Sequence, residues 1–234
     1  MPSPIVTATL FGLKGDNLKL LTQNSKMKKA KIKTFDFAIP AWSSEATGIK
    51  TCPGADWNKC GKICYARDGR YRMKSTQNAM EARLAITQKV DFVDIMSSEI
   101  NEKLKRNPKG FNLRMHSSGD FYHRVYLLKW TALAIKYPMV TFYAYTKMVP
   151  FFRGHTLPPN MTVVFSYGGK FDNQITYGDR HAKVFPSVYA LRKAGYADAS
   201  VNDTVAANPK IRRLGLVYHG RYYRSKVKPT LGLD

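Results

Sequence analysis

The chain has 234 residues, 44% of them hydrophobic and 12% aromatic, with a mean hydropathy of −0.35; this argues against a disordered chain and suffices for one large core. Lys and Arg total 38 against 16 Asp and Glu, a formal charge of +22, which favours phosphate polymers, anionic substrates or acidic partners. No apolar run approaches a membrane span, and the opening MPSPIVTATLFGL lacks a basic segment ahead of its apolar stretch, so we expect no membrane anchor, no signal peptide and a cytoplasmic protein.

The first elements are an expected strand over Ile5 to Leu13 and a lysine-rich connector or basic helix over 20–33. Phe35 to Ile39 alternates and stops at Pro40, a strand signal. Ser75 to Lys89 reads as a helix with Ser75 as its cap, and Asp91 to Arg106 as a second, with Phe92, Ile95, Met96, Ile100 and Leu104 on one side. A strand over Phe111 to His116 leads into the turn Ser117 to Asp120, where Asp120 is placed to cap a helix over Tyr126 to Tyr137. Val140 to Tyr145 is β-branched or aromatic at every position but Ala144, hence a strand. Phe151 and Phe152 fit a short helix or packed loop. Strands at Met161 to Ser166, Ala182 to Phe185 and Leu214 to Tyr218 follow, with a short helix over Ser187 to Ala194 stopped at Gly195.

This order implies an α/β fold: a single domain of repeated βα units forming a partial or distorted TIM-like barrel, with chemistry at the strand C-termini. The residues after the strands are the cysteine loop described next, His116 to Asp120, Thr146 and Lys147, Ser166 with Gly168, and His219. Each exit carries usable polar groups.

All three cysteines, Cys52, Cys60 and Cys64, lie in one short loop that Pro53, Gly54 and Gly61 bend. An odd count argues against a disulfide framework, and clustered thiols in a reducing compartment are metal ligands or catalysts. The spacing C-x7-C-x3-C leaves two readings open. One is a Cys3His zinc site completed by His116, His181 or His219. The other, which we favour, is a [4Fe-4S] cluster with three cysteine ligands, whose fourth iron takes water, substrate or a cofactor. Trp57 and Tyr65 beside the thiols are expected to shield the cluster.

The loop Cys60-Gly-Lys-Ile-Cys64-Tyr-Ala66 after an early strand resembles the cysteine loop of radical SAM enzymes. The longer pattern resembles more closely the family of gene product eighty-eight of a mycobacterial phage. It comprises Cys52-Pro-Gly54, Cys60, Cys64-Tyr-Ala66, Arg114-Met-His-Ser-Ser-Gly-Asp-Phe121, Trp130 and Phe142-Tyr-Ala-Tyr-Thr-Lys147. Gly195 to Ser200 and Gly215 to Gly220 also match, so the likeness covers about residues 50 to 220. It implies iron–sulfur binding and a phage origin, hence the host cytoplasm. The usual radical SAM loop is C-x3-C-x2-C, whereas Arg67 stands here where its last cysteine would fall.

The expected divisions are residues 1–34 (strand and basic connector), 35–220 (α/β iron–sulfur domain) and 221–234 (basic tail). The expected function is an iron–sulfur enzyme on a small-molecule substrate. It is either radical SAM-like, with Ser118 and Gly119 in the glycine–acid turn that Asp120 completes helping to hold the S-adenosylmethionine amino group, or a Lewis-acid hydrolase or lyase acting on an anion or ester. His116, Asp120, Lys147 and His219 are the candidate acid–base and oxyanion groups. Lys147 alternatively pairs with Asp120. The rival readings are a nucleic-acid-binding protein with a structural or redox-sensing cluster, served by basic groups such as Arg221-Tyr-Tyr-Arg224, and a zinc-stabilised binding module.

Overall fold

The computed structural model describes residues 18–202 and 204–218. The strand expected over Ile5 to Leu13, His219 and the basic tail lie outside them. Seven strands are present among the described residues: β1 (Thr34–Ala38), β2 (Asn112–Ser118), β3 (Thr141–Thr146), β4 (Met161–Ser166), β5 (His181–Phe185), β6 (Ala197–Asp198) and β7 (Arg213–Val217). They form one sheet in the order β1-β2-β3-β4-β5-β7-β6, and every neighbouring pair is parallel. The sheet curls into a half-barrel that stays open, with β1 and β6 at its edges.

Parallel neighbours require crossovers. The helices are α1 (Ser25–Lys29), α2 (Lys74–Gln88), α3 (Phe92–Arg106), α4 (Arg124–Lys136), α5 (Val149–Phe152), α6 (Val188–Lys193) and α7 (Thr204–Ala207). In α3, Phe92, Met96 and Ile100 recur at helical spacing and are buried, the pattern of a helix with one face on a core. The alternation of β3 sorts its side chains. Phe142 and Ala144 join the large core beneath the helices, with Phe37, Leu113 and Trp130. Tyr143 joins a smaller cluster with Val164, Ala182 and Leu214 on the other face.

Two expected caps are elsewhere. Ser75 lies inside the first turn of α2, whose flanking residue Met73 makes no side-chain cap. Asp120 does not cap α4. His123 does, its ring accepting the Val125 N–H at 3.2 Å, because Asp120 is buried and occupied elsewhere. The elements β6 and α7 were not legible in sequence; at two and four residues they carry no periodic pattern.

Beside β1 the register of β2 slips. Asp36 faces Arg114 and Ala38 faces Ser118, so the interval of two residues in β1 spans four in β2. Such bulges re-aim side chains. Here Ser117 turns its hydroxyl to the Asp36 carboxylate, while His116 turns toward α4 and packs against Phe121, Tyr126 and Trp130.

Candidate functional site

The cysteine loop leaves β1 and is pinned at both ends. Trp42 holds φ at +70°, the only non-glycine residue in that region among those described. Its carbonyl accepts the N–H groups of Thr51 at 3.1 Å and Cys52 at 3.3 Å, and its own N–H donates to Cys52 Sγ at 3.3 Å. Residues Trp57–Gly61 form a π-helical turn, a wide turn common at functional sites; Cys60 sits in it. The Trp42 and Trp57 rings meet edge-on at 4.9 Å. The Arg67 guanidinium lies 4.4 Å over Trp57 and donates to the Gly61 carbonyl at 3.2 Å. Arg67 therefore braces the loop from the position where a radical SAM loop has a thiol.

The exit of β4 supports the other side. Ala55 bridges Gly169, and the Lys170 N–H donates to the Gly54 carbonyl at 2.8 Å. A Cβ on Gly54 would lie 2.6 Å from the Lys147 carbonyl oxygen, so the close approach requires glycine. Asp172 accepts the N–H groups of Gly168 at 3.0 Å and Gly169 at 2.9 Å.

All three cysteines border one cavity of about 1190 Å³ that the exits of β2, β3, β4 and β7 also line. Cys60 and Cys64 share a hydrogen bond that lowers the pKa of Cys60 and raises that of Cys64, so one proton serves two sulfurs. Burial pushes the Cys52 thiol up to about 12. Burial thus keeps Cys52, and the Cys60 hydrogen bond together with burial keeps Cys64, as thiols without a metal, and a bound cation would be what deprotonates them; three sulfurs from one loop are a soft donor set of the kind iron–sulfur clusters and zinc take. The fit to a metal or cluster is one of donor chemistry; among the described residues no three His, Cys, Asp or Glu side chains are grouped as a metal site as they stand.

Every other expected site residue among those described borders the same cavity: Trp57, Tyr65, His116, Ser118, Gly119, Asp120 and Lys147. Trp57 and Tyr65 are 41% and 39% exposed. Tyr65 donates its hydroxyl to the Ser117 carbonyl and so ties the cysteine loop to the β2 exit. Gly119 has φ +78°, and a Cβ there would lie 2.2 Å from Ile39 Cγ1, so the turn after β2 accepts only glycine. The Ser118 hydroxyl is buried on that wall without a hydrogen-bond partner.

Asp120 is buried and accepts three hydrogen bonds: Thr146 Oγ1 at 2.6 Å, the Phe121 N–H at 2.7 Å and the Lys147 N–H at 2.8 Å. Burial outweighs these donors and raises its carboxyl to about 6. The expected Asp120–Lys147 ion pair is absent. Lys147 Nζ instead donates to Ser166 Oγ at 2.7 Å, the Ser166 carbonyl at 3.1 Å and the Tyr167 carbonyl at 2.9 Å.

His116 is buried, and its Nε2 meets the Tyr126 hydroxyl at 3.1 Å. Burial, reinforced by Arg114, holds it down to about 3, so the ring is neutral near pH 7. His181 is turned away from the thiols: Nδ1 faces the Asp179 carbonyl at 3.1 Å and Nε2 the Tyr196 hydroxyl at 2.9 Å. His219 lies outside the described residues. Asp172 and Lys183, which also border the cavity, were not singled out from sequence. For Asp172 a signal existed, since an acid three residues after two glycines is a turn signature. For Lys183 none did, because one lysine in a basic chain is unremarkable.

No helix among the described residues is long and apolar enough to cross a membrane. No curated protein and no solved structure matches the chain. A family model described as Gene product 88 matches residues 13–221, which span β1 to β7 and every cavity residue named above. The chain belongs to the Gene product 88 family.

Proposed function

We propose that Cys52, Cys60 and Cys64 hold a [4Fe-4S] cluster and that the chain is a radical SAM-like enzyme. One observation carries the reading. In a curled, all-parallel sheet, the cysteine loop follows β1 and the Ser118-Gly119-Asp120 turn follows β2, and both border one cavity. Chemistry on curled parallel sheets sits at these strand exits. The cluster, when bound, would supply one-electron chemistry to S-adenosylmethionine. The protein's own part is to hold three sulfurs, to fix the turn through Asp120, and to keep a lysine charge at the β4 exit. The carboxylate of Asp120 is spent on the fold, so S-adenosylmethionine would meet the backbone and hydroxyl of Ser118 and the backbone of Gly119.

A zinc site is disfavoured because His116 and His181, the described candidates for a fourth ligand, face Tyr126 and Tyr196. A second reading draws on Arg67 in place of a third closely spaced cysteine and on the Lys147 ammonium. In it the open iron is a Lewis acid for hydrolysis or elimination at an anionic substrate.

The test is anaerobic purification with iron, sulfide and EPR analysis. Iron and sulfide are expected in equal amounts, and both fall in Cys60→Ser. A colourless, zinc-loaded protein overturns the cluster. An EPR signal that S-adenosylmethionine leaves unchanged removes the radical branch and favours the Lewis-acid one.

A further inference from the structure

The cavity carries a second constellation, which Lys147 shares with the thiols and which extends from them toward β5. Lys147 Nζ spends its hydrogens on three neutral oxygens of Ser166 and Tyr167. Lys183 Nζ, from β5, sits 4.6 Å over the Tyr167 ring. Among the described residues neither ammonium pairs with a carboxylate. The acids on the cavity wall are engaged elsewhere. Asp120 takes the backbone N–H of Lys147 rather than its charge, and Asp172 takes two glycine N–H groups and, at 3.4 Å, Lys59. Two positive charges thus meet around Tyr167 in a partly enclosed space, where water screens them less than at an open surface.

Rings alternate with these cations. The Arg114 guanidinium lies 5.1 Å over Tyr145 on the next strand, and Val184 and Leu216 add apolar wall nearby. Cations alone would suit any anion, and rings alone any apolar body. Their pairing suits a planar ring joined to a phosphate, the combination by which proteins hold nucleotides through stacking and charge.

We infer that the β3–β5 side of the cavity takes a nucleoside phosphate, its phosphate drawn to Lys183 and Lys147 and its base to the Tyr145–Arg114 and Tyr167 surfaces. As a substrate assignment this rests on the enzymatic reading above; as a binding site it stands without it. The same chemistry has two sources, a free nucleotide or the end of a single strand.

The experiment titrates the anaerobically purified full chain with a nucleoside 5′-monophosphate, the matching nucleoside, inorganic phosphate and a short single-stranded oligonucleotide. Binding is followed by calorimetry. The monophosphate should bind about tenfold more tightly than the nucleoside or inorganic phosphate. Lys183→Gln should lose about tenfold while Lys183→Arg retains affinity, the scale of one charge-assisted contact. An oligonucleotide that binds more tightly than the monophosphate, still through Lys183, identifies a strand as the source; equal or weaker binding identifies the free nucleotide. No binding of either nucleotide form, inorganic phosphate binding equal to the monophosphate, or indifference to Lys183→Gln overturns the inference. Lys183 is half-buried and contacts the Tyr167 ring, so the variant should fold, and its melting curve checks this. If it does not, Tyr167→Leu supplies the same test. Iron and sulfide are assayed in the same preparation. Lys183-dependent binding without a cluster removes only the cluster, and a cluster without nucleotide binding removes only this inference.

Discussion

Asp120 and Lys147 are joined carboxylate to backbone, not charge to charge. The Lys147 N–H donates to Asp120 Oδ2 at 2.8 Å while its ammonium leaves for Ser166, 2.7 Å away. Asp120 is thus a clamp between the β2 and β3 exits, and the lysine charge stays available to the cavity. In Asp120→Asn an amide N–H₂ must face either a backbone N–H or the Thr146 hydroxyl. Loss of an acceptor at a buried donor costs about 1–3 kcal/mol. Urea denaturation should show a drop of that order, and Asp120→Glu should not rescue it, because the longer acid does not fit between the two exits.

Asp172 holds the β4 exit under the cysteine loop through the Gly168 and Gly169 N–H groups. Asp172→Ala leaves both without that acceptor. A stability loss of about 1–2 kcal/mol is expected, with faster amide hydrogen exchange at Gly168, Gly169 and Lys170 than at β3. Uniform exchange across the sheet would show that the carboxylate does not set this loop. Retained cluster on reconstitution would show that the loop does not need its support.

The positions of six strands, most helix limits and the cysteine loop were legible because each rests on a local pattern: Val140 to Tyr145 is β-branched or aromatic at all but Ala144, and Phe92, Met96 and Ile100 keep helical spacing; the order β5-β7-β6 was not legible, because β6 was not. The convergence of strand exits on one cavity was legible too, since parallel βα order forces it. What was not legible depended on three-dimensional competition. Asp120 looks like a helix cap until β3 arrives with Thr146 and Lys147 to claim its oxygens. His116 follows a strand like a catalytic base, yet the slip of β2 against β1 sends its ring toward Tyr126. Trp42 gives no sign of its positive φ, which appears only where its carbonyl and N–H meet Thr51 and Cys52.

Arg67 links the π-helical turn to the helical turn after it, through the Trp57 face and the Gly61 carbonyl. Arg67→Ala removes both contacts. A half-exposed cation–ring contact is worth about 0.5–1 kcal/mol, so the melting temperature should move little. The sharper readout is local: iron should pass from the reconstituted protein to a chelator faster in Arg67→Ala than in wild type, with Arg67→Lys between them, since an ammonium cannot both stack flat and reach Gly61. Equal rates in all three would show that Arg67 plays no part in holding the loop.

His116 works against the fold in acid, opposed between about pH 4 and 6 by Asp120, whose carboxyl burial raises to about 6. Its ring is buried among Phe121, Tyr126 and Trp130, and burial lowers its pKa from about 6.5 in an unfolded chain to about 3. The folded state therefore resists the proton that the unfolded chain takes up below about pH 6.5. The stability this neutral ring contributes is fully present above that pH and is lost as pH falls from there toward 3. Each unit of that fall should cost up to about 1.4 kcal/mol through this group alone. His181, also lowered by burial, adds a slope of the same sign. His116→Gln should be less stable than wild type at pH 7 but lose less on acidification, so the two stability curves converge toward pH 4. Parallel curves would mean that burial does not depress the His116 pKa and that the ring takes up its proton as readily in the fold as in the unfolded chain.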